Sequence, residues 1–515
     1  MGRIPTLKFD RGTLILHPPP RGKSWIDFAT WDDRVERFRV PAIQYRELVA
    51  TLKTEKAAFS DEAQDFPSVS LFAQSDRQPY SHQQEALTAW IQAGHRGVVV
   101  LPTASGKTYL AQMAMQEAAC STLITVPTLD LMHQWYAQLI TTFPDAEVGL
   151  LGGGSRDRTP ILVATYDSAA IHAESLGNRY GLLVCDECHH LPTDFNRVIA
   201  EYAIAPYRLG LTATPDRSDG KHTDLDTLLG TVVYHRTAEE LAGKALSHHE
   251  IIQIKVELSP PEREQYDALI QTRDEFLQKS KIRLGTLQGW QRFVQVSAQS
   301  QAGRRAMLAH REARTIALGT EGKLRILAEL LERHYPEQTL IFTNDNATVY
   351  RISQSFLIPA ITHQTPVKER HAILQRFREG TYKMLVASHV LNEGVDVPEA
   401  NVAILLSGTG SAREYIQRLG RVLRKGRIQK TAVLYEVVAE ETTEEGVSRR
   451  RRQPSKTKRS PQQLELVPSP SLDATPLYGN AHSPPRLAAE SAATWNHTTP
   501  LESPSPDGQP DGQET

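Results

Sequence analysis

Past residue 95, short runs of β-branched and other apolar residues alternate with longer amphipathic stretches. This alternation is typical of a parallel sheet whose strands are joined by helices. A first series of strands is predicted at 97–101, 122–126, 161–165, 182–185 and 208–212. A second series follows at 339–343, 383–387, 402–406 and 431–437, with helices such as 349–356 and 368–378 between its members. The pattern therefore predicts an α/β protein with two tandem domains built on parallel sheets.

Three further segments depart from this alternation. Residues 259–321 are rich in Glu, Arg, Gln and Leu at helical spacing, which predicts a helical insertion. Residues 1–60 form a separate small α+β unit with a strand at 13–17 and a helix at 45–54. From residue 441 the composition shifts to a basic run and then to Pro, Ser, Gly, Asp and Thr, which predicts a disordered tail. The predicted domains are thus 1–60, 61–258, 259–321, 322–440 and 441–515.

Composition sets the class of protein. A chain of 515 residues exceeds what one hydrophobic core usually serves. No apolar run approaches the ~20 residues that span a bilayer, so no membrane partner is expected, and the amino terminus lacks the apolar region of a signal peptide. Three cysteines cannot form a disulfide framework, so a cytoplasmic protein is expected, associated with the nucleoid if the source is prokaryotic. With 58 basic and 60 acidic residues, any phosphate-binding surface must be local.

The first predicted strand runs into a segment with the layout of a phosphate-binding loop. Backbone N–H groups at a helix start can wrap a phosphate, Lys107 can neutralise the β- and γ-phosphates, and the Thr108 hydroxyl can ligate Mg²⁺. The strict pattern has glycine where Leu101 stands, and glycine is also frequent at the position of Ala104. The predicted ATP-binding residues of this loop are Pro102, Thr103, Ala104, Ser105, Gly106, Lys107 and Thr108.

A second chemical motif ends the apolar run 182–185. Asp186 and Glu187 would lie at the carboxyl end of a strand, the edge where ligands of α/β sheets bind. Asp186 is placed to hold Mg²⁺, and Glu187 to orient and deprotonate the water that attacks the γ-phosphate. Two alternatives stay open at this point: a solvated strand end, and a zinc site using Cys185, Cys188 and His189.

At this point the chain resembles superfamily 2 helicases, and most closely the compact archaeal and bacterial members of the xeroderma pigmentosum group B (XPB) family. The resemblance spans about residues 7–440 and rests on the segments FDRGTLIL, DECHHLP, APYRLGLTATPDR, FLIPAITHQT, EGVDVPEANVAILLSGTGSAREYIQRLGRVLRKG and AVLYE, in this order. It implies two RecA-like P-loop domains, a damage-recognition-like amino-terminal domain and a thumb-like character for the helical insertion. It also implies ATP and Mg²⁺ as cofactors.

The resemblance assigns further roles to single residues. Gln417, Arg421 and Arg424 match the final helicase motif, whose arginines reach the γ-phosphate from the second domain. Gly394 and Asp396 match a motif that touches ribose, and Gln83 matches a glutamine that reads adenine, although Tyr80 replaces the usual arginine upstream.

Contacts to DNA and their coupling to hydrolysis are implied in the same way. Short hydroxyls suit a phosphodiester backbone, although each threonine taken alone is more often a helix cap. Arg217 and Asp219 fall where relatives carry an Arg-Glu-Asp motif implicated in strand separation, with Ser218 in place of the glutamate. Asn392 stands where relatives often carry Asp. The residues assigned to DNA contact or coupling are Thr128, Thr165, His189, Thr212, Thr214, Arg217, Asp219 and Thr343.

The functional hypothesis is an ATP-driven, DNA-stimulated 3′–5′ helicase that opens duplex DNA in repair. Single-stranded, forked and duplex DNA are the expected partners, and the resemblance adds a nuclease partner. One alternative is a duplex translocase without unwinding, favoured by Ser218 and Asn392. The other is a DNA-binding adaptor with a decayed ATP site, favoured by Leu101 and Ala104.

Overall fold

The computed structural model describes residues 4–20, 22–74, 77–215, 219–241, 249–284, 287–388, 400–407 and 432–452. The site predictions at Arg217, Gly394, Asp396, Gln417, Arg421 and Arg424 lie outside these residues. Among the described residues, no helix combines the length and the apolar character needed to cross a membrane.

The amino-terminal unit is a small sheet covered by one helix. Its strands are β1 (Thr6–Asp10), β2 (Thr13–His17), β3 (Thr30–Asp32), β4 (Arg37–Pro41) and β5 (Ser60–Asp61). Its helix is α1 (Tyr45–Thr54), which lies between β4 and β5 in the chain. The sheet order is β3-β4-β2-β1-β5, antiparallel except for the β1–β5 pair. Alternate side chains such as Leu14 and Leu16 face inward and pack with Tyr45 and Leu48 of α1. The predicted strand 13–17 and helix 45–54 are confirmed.

The first α/β domain contains one eight-stranded sheet of order β13-β6-β12-β11-β7-β10-β8-β9. Its strands are β6 (Arg96–Val100), β7 (Thr122–Val126), β8 (Val148–Gly152), β9 (Ser155–Arg156), β10 (Ile161–Thr165), β11 (Leu182–Asp186), β12 (Tyr207–Thr212) and β13 (Val232–His235). All neighbours pair in parallel except β8 and β9. The central strands β7, β10 and β11 are buried throughout, because helices cover both faces of a doubly wound sheet.

The helices of this domain are α2 (Ser81–Gln92), α3 (Lys107–Ala118), α4 (Leu129–Thr142), α5 (Tyr166–Ile171), α6 (Ala173–Leu176), α7 (Val198–Glu201), α8 (Leu225–Leu228) and α9 (Ala238–Leu241). The predicted strands 122–126 and 161–165 match the structure residue for residue. The predictions 182–185 and 208–212 differ from the structure by one residue at one end, and 97–101 is shifted by one residue along the chain.

A buried arginine fixes the start of strand β12. Arg208 is fully buried, and its guanidinium donates to the carbonyls of Ala203 (2.7 Å), Ala205 (3.1 Å) and Leu228 (2.6 Å). Burial lowers its pKa to about 9, which still leaves the side chain charged at neutral pH. Since a desolvated cation is costly without such partners, Arg208 and the surrounding loops hold each other in place.

The helical insertion consists of α10 (Pro260–Lys279), α11 (Leu287–Ser297) and α12 (Gln301–Gly319). A capping box at Ser259 and Glu262 starts α10, and Glu262 also accepts a hydrogen bond from Thr320 (2.8 Å) where α12 ends. The two long helices α10 and α12 pack along each other, so both ends of the insertion return to the same place.

The second α/β domain contains strands β14 (His249–Val256), β15 (Thr339–Phe342), β16 (Ala360–Ile361), β17 (Met384–Ala387), β18 (Val402–Leu405) and β19 (Ala432–Ala439). Its helices are α13 (Glu321–His334), α14 (Asn346–Phe356), α15 (Val367–Arg378) and α16 (Thr443–Arg452). Among the described residues the sheet order is β14-β19-β18-β15-β17-β16, with every pair parallel.

Two predicted domain boundaries differ from the structure. Residues 249–256 were assigned to the first domain, but β14 pairs along its whole length with β19 of the second sheet. The helical insertion therefore interrupts the second domain and does not separate the two. The predicted tail from residue 441 begins with the packed helix α16, because Glu444 accepts a 2.6 Å hydrogen bond from the buried amine of Lys323 and another from the Ala439 N–H.

The amino-terminal unit packs on the first α/β domain at the amino ends of its strands. Arg46 of α1 donates to the carbonyls of Gly94 (2.6 Å) and Pro206 (3.2 Å), which precede β6 and β12. Glu47 pairs with Arg96 at 2.6 Å, and Ile204 joins the hydrophobic core of the amino-terminal unit. These contacts leave the carboxyl edge of the sheet uncovered by that unit.

Replacing Arg208 with methionine should lower the free energy of unfolding by about 3 kcal/mol or more, because three buried carbonyls lose their donor. Urea denaturation followed by circular dichroism measures the change. The control is Arg34→Met, since Arg34 pairs with Asp32 on the surface with its side chain 86% exposed, and a pair exposed to solvent should contribute far less to stability. Equal losses in the two variants would contradict the role assigned to Arg208.

Candidate nucleotide-binding site

Three neighbouring strand ends build the site. Strand β12 lies between β6 and β11, with Thr212 paired opposite Val100 and Leu211 opposite Asp186. The segments that follow these strands therefore leave the sheet side by side at its carboxyl edge. The phosphate-binding loop, the Thr212–Thr214 segment and the acidic pair are brought together there, as expected for ligand sites in α/β sheets.

The loop between β6 and α3 is a tight turn closed by its own hydrogen bonds. The Ser105 hydroxyl donates to the Pro102 carbonyl at 2.8 Å, and Ser105 is buried. Gly106 has a φ of +84° and caps α3, which begins at Lys107 with Thr108 in its first turn. Because this glycine directs the chain into the helix, the first N–H groups of α3 face the loop, which is the geometry that binds phosphate.

The two departures from the strict loop pattern have different consequences. Leu101 is buried and continues the sheet, since its N–H donates to the Thr212 carbonyl at 3.0 Å. An extended residue needs no glycine. Ala104, in contrast, has a φ of +68°, a region that costs a side-chain-bearing residue roughly 1–2 kcal/mol. The loop is therefore formed, with backbone strain at Ala104.

Lys107 and the acidic pair face each other across the site. The Lys107 amine donates to the Leu101 carbonyl (3.2 Å) and lies 3.9 Å from the Glu187 carboxylate. Asp186 accepts hydrogen bonds from the Trp135 indole (2.8 Å) and the Glu187 N–H (3.0 Å). These bonds hold the Asp186 carboxylate in a fixed orientation at the end of β11.

The acidic pair is short of positive charge. Burial, with the charge of Glu187 as a second cause, raises the pKa of Asp186 to about 6. Because this pKa lies above the unfolded value, the stabilising contribution of the protonated form is complete near pH 4 and is lost as the pH rises through about 6. At neutral pH the ionised pair therefore weakens the fold, and a bound cation would relieve that repulsion.

The residues present fit a nucleotide with Mg²⁺. In the part of the chain that the structure describes, no group of three or more His, Cys, Asp or Glu side chains could hold a metal by itself. Mg²⁺ commonly takes one or two carboxylates and completes its shell with water and substrate phosphates. Asp186 and Thr108 can supply the protein ligands, and the loop and Lys107 can hold the phosphates.

A polar chain links the acidic pair to the segment after β12. The buried His189 imidazole lies 3.5 Å from the Glu187 carboxylate and 3.1 Å from the Thr212 hydroxyl. The Thr214 N–H donates to the same hydroxyl at 3.2 Å. A shift of the Glu187 carboxylate would therefore be transmitted to the Thr214 backbone through the side chains of His189 and Thr212.

Gln83 is fully buried and contacts the phosphate-binding loop. Its amide donates to the carbonyls of Ser105 (3.0 Å) and Gly106 (3.3 Å), and its side-chain oxygen accepts from the Tyr80 N–H (2.9 Å). His82 on the same helix also contacts the Ser105 carbonyl at 2.9 Å. In this structure Gln83 positions the loop.

The threonines assigned to DNA lie at the same edges of the two sheets. Thr128 follows β7 and caps α4 by accepting from the Leu131 N–H, and Thr165 ends β10 and caps α5. Both lie on the far side of Asp186 from the phosphate-binding loop along the sheet edge. Thr343, at the corresponding edge of the second sheet, is buried and donates to the Asp345 carbonyl at 3.0 Å. Asp219 accepts from the Lys221 N–H in the turn after β12.

The two α/β domains meet through an ion pair that the sequence does not reveal. Arg370 of α15 lies 2.9 Å from Asp130 in the first turn of α4, and both side chains are largely buried. Trp135, which supports Asp186, was also missed, because a tryptophan in an amphipathic helix gives no local sign of its partner. These residues contact one another only after strands distant in sequence have paired.

Comparisons with known proteins agree with this geometry. Residues 7–63 match the xeroderma pigmentosum group B helicase damage recognition domain, residues 76–217 the type III restriction enzyme res subunit, and residues 322–426 the helicase conserved C-terminal domain. The chain is 39% identical over 426 residues to the DNA 3′-5′ translocase XPB2 of Sulfurisphaera tokodaii, covering 82% of this chain and 95% of that protein.

Two further comparisons cover the chain differently. The DNA 3′-5′ helicase XPB of Mycobacterium tuberculosis is 30% identical over 68% of this chain, which spans 59% of that relative. The crystal structure of the Pyrococcus furiosus Hef helicase domain matches 73% of this chain and 98% of its own with a TM-score of 0.53. At 20% identity this last similarity shows the fold, two tandem helicase domains.

Replacing Ala104 with glycine should tighten ADP binding about two- to fivefold, because glycine adopts the positive φ of the loop without strain. Isothermal titration calorimetry measures the affinity. Ala119→Gly is the matched control, since Ala119 also has a positive φ, +47°, but lies at the opposite end of α3 from the phosphate-binding loop. An equal change in affinity in both variants would show that strain at Ala104 does not limit nucleotide binding.

Proposed function

The chain belongs to the xeroderma pigmentosum group B (XPB) family of ATP-dependent superfamily 2 helicases, and from that premise we propose that it couples ATP hydrolysis to 3′–5′ movement on DNA. The observation that carries the proposal is the shared sheet edge. Lys107, Asp186 and Glu187 lie at one half of it, the capped helices α4 and α5 lie at the other, and His189 and Thr212 lie close to the acidic pair.

In hydrolysis, the chain's own residues bind, orient and accept a proton. The first turn of α3 and Lys107 hold the phosphates, and Thr108 and Asp186 hold Mg²⁺, which when bound neutralises phosphate charge. Glu187 orients the attacking water and takes its proton. The 3.9 Å separation between the Lys107 amine and the Glu187 carboxylate supports these roles, because it places the proposed phosphate cation next to the proposed proton acceptor.

The proposed coupling uses the polar chain beyond Glu187. Proton transfer to Glu187 removes the charge that faces His189 at 3.5 Å, which weakens that contact. His189 and the Thr212 hydroxyl can then shift with the Thr214 segment. In the second domain, we assign Arg421, Arg424 and Gln417 to the γ-phosphate and Gly394 and Asp396 to ribose, so that ATP binding closes the two domains.

DNA would follow the helix amino termini at Thr128 and Thr165 and the Thr343 segment of the second domain. The far part of the helical insertion offers a second contact, because residues 276–311 contain no acidic residue. Phosphate backbones bind such surfaces without reading sequence. The basic residues of this segment, all exposed, are Lys279, Lys281, Arg283, Arg292, Arg304, Arg305 and Arg311.

The finer biological role is also proposed. Opening of DNA in repair, with Arg217 and Asp219 near the separating strands, is supported by the damage-recognition match at residues 7–63. A nuclease partner rests on the family resemblance alone. A cytoplasmic location is supported by three cysteines that all remain as buried free thiols, Cys120, Cys185 and Cys188.

The second candidate is a duplex translocase that does not unwind. Ser218 and Asn392 favour it, and the relative from Sulfurisphaera tokodaii carries the name translocase. Strand displacement from a forked substrate and displacement of a third strand from a triplex separate the two activities. Triplex displacement without fork opening would establish the translocase.

Lys107→Ala and Glu187→Gln should each abolish ATP hydrolysis, because one removes the phosphate cation and the other the proton acceptor. Steady-state hydrolysis with and without single-stranded and forked DNA is the measurement. Glu329→Gln, an exposed change of the same type on α13, should hydrolyse ATP like the wild type. If both site variants keep an intact fold and still hydrolyse ATP, Lys107 and Glu187 do not form the hydrolysis site.

Changing Arg304 and Arg305 to glutamate should weaken DNA binding and reduce its salt dependence, with a slope of log affinity against log salt that is smaller by about 1.5. Fluorescence anisotropy at several salt concentrations measures this. The matched control is the double change of Arg325 and Arg333 to glutamate, two exposed arginines of α13. An identical loss in the control would attribute the effect to net charge and not to the insertion.

A further inference from the structure

Gln83, the residue that the family resemblance assigns to adenine, makes its hydrogen bonds to the protein backbone instead. The amide nitrogen of Gln83 lies within hydrogen-bond distance of two carbonyls, those of Ser105 (3.0 Å) and Gly106 (3.3 Å), its oxygen accepts from the Tyr80 N–H, and the residue is fully buried. A glutamine side chain has two hydrogens to donate. Gln83 therefore positions the loop, and another group must face the nucleobase.

Arg77 lies beside the same loop and is exposed. One of its terminal nitrogens is 3.7 Å from the point where a Cβ on Gly106 would lie, next to the Gln83 amide. This places the guanidinium at the outer edge of the loop that begins α3. Arg77 belongs to the segment before α2, and none of the helicase motifs in the sequence includes it.

Tyr109 holds Arg77 in this position by two contacts. The guanidinium carbon lies 4.6 Å above the centre of the Tyr109 ring, and the Tyr109 hydroxyl donates to the Arg77 carbonyl at 2.7 Å. Tyr109 directly follows Thr108 in the first turn of α3. The orientation of the Arg77 plane is therefore tied to the helix that binds the phosphates.

A guanidinium fixed in this way suits a flat aromatic ligand. Arginine stacks on aromatic faces through its planar, weakly hydrated cation, and such stacking favours large π systems. Lys107 already supplies the amine that faces the acidic pair. The chemistry at Arg77 therefore matches the base of the nucleotide better than its phosphates.

We propose that Arg77, held by Tyr109, is the base-stacking residue of the nucleotide site, and that Gln83 is a positioning residue for the phosphate-binding loop. The inference rests on the proposed function, because it concerns the base of the same ATP. Stacking recognises ring size more than ring substituents, so the site should bind purine nucleotides in preference to pyrimidine nucleotides.

Calorimetric titration of the full chain with ADP, UDP and inorganic tripolyphosphate tests this. Arg77→Ala should weaken ADP binding about tenfold and reduce the preference for ADP over UDP, with tripolyphosphate binding unchanged. Arg77→Lys should behave like Arg77→Ala, since lysine keeps the charge but loses the plane. Tyr109→Phe loses the bond to the Arg77 carbonyl but keeps the ring, so it should retain most of the affinity, whereas Tyr109→Leu should lose it because the ring holds the guanidinium.

The matched control is Arg376→Ala, which removes a guanidinium stacked 5.8 Å from the Tyr382 ring in the second domain. It should leave ADP binding unchanged. An equal loss of ADP and tripolyphosphate affinity in Arg77→Ala would make Arg77 a phosphate ligand and overturn the inference, as would wild-type affinity in Arg77→Lys. A wild-type chain that binds no nucleotide at all would instead overturn the proposed function.

Discussion

The position of strand β12 between β6 and β11 is the constraint on which the site depends. Its register places Thr212 beside the strand that enters the phosphate-binding loop and Leu211 beside Asp186. Arg208, buried at the start of the same strand, donates to the carbonyls of Ala203 and Ala205 in the preceding loop and of Leu228 at the end of α8. A guanidinium that can be buried only when all these acceptors are in place makes the strand position an all-or-none property of the fold.

The same edge also concentrates unfavourable electrostatics. Asp186 and Glu187 are buried next to one another with Lys107 as the nearby amine, and this environment raises the pKa of Asp186 to about 6. Trp135 and the backbone hold the Asp186 carboxylate even so. Local instability of this kind is common at functional sites, because a bound ligand supplies the missing charge. The strained Ala104 in the facing loop adds to it.

Within the described chain, separate sets of contacts join the amino-terminal unit to the first α/β domain and the helical insertion to the second. The amino-terminal unit is joined to the first α/β domain by Arg46 and by the Glu47–Arg96 pair, at the edge opposite the nucleotide site. The helical insertion is built into the second domain, since β14 precedes it and α13 follows it. Between the two α/β domains, Asp130 and Arg370 pair close to Thr128. A change in domain closure would therefore act directly on the helix proposed to contact DNA.

Features that depend on neighbouring residues can be predicted from the sequence: the alternation of strands and helices, the loop from Pro102 to Thr108, and the acidic pair at a strand end. Features that depend on residues far apart in the chain require the folded structure, because their partners meet only on packing. Strand β14 has the pattern of any apolar strand, and its pairing with β19, more than 180 residues later, assigns it to the second sheet. The first residues of α16 are polar, as in the predicted tail, and only the hydrogen bond from the buried Lys323 amine to Glu444 shows that they pack against the second domain. The role of Gln83 likewise follows from its hydrogen-bond partners, and that of Arg77 from the Tyr109 ring beneath it. Such side-chain partners are set by packing, which local sequence does not encode.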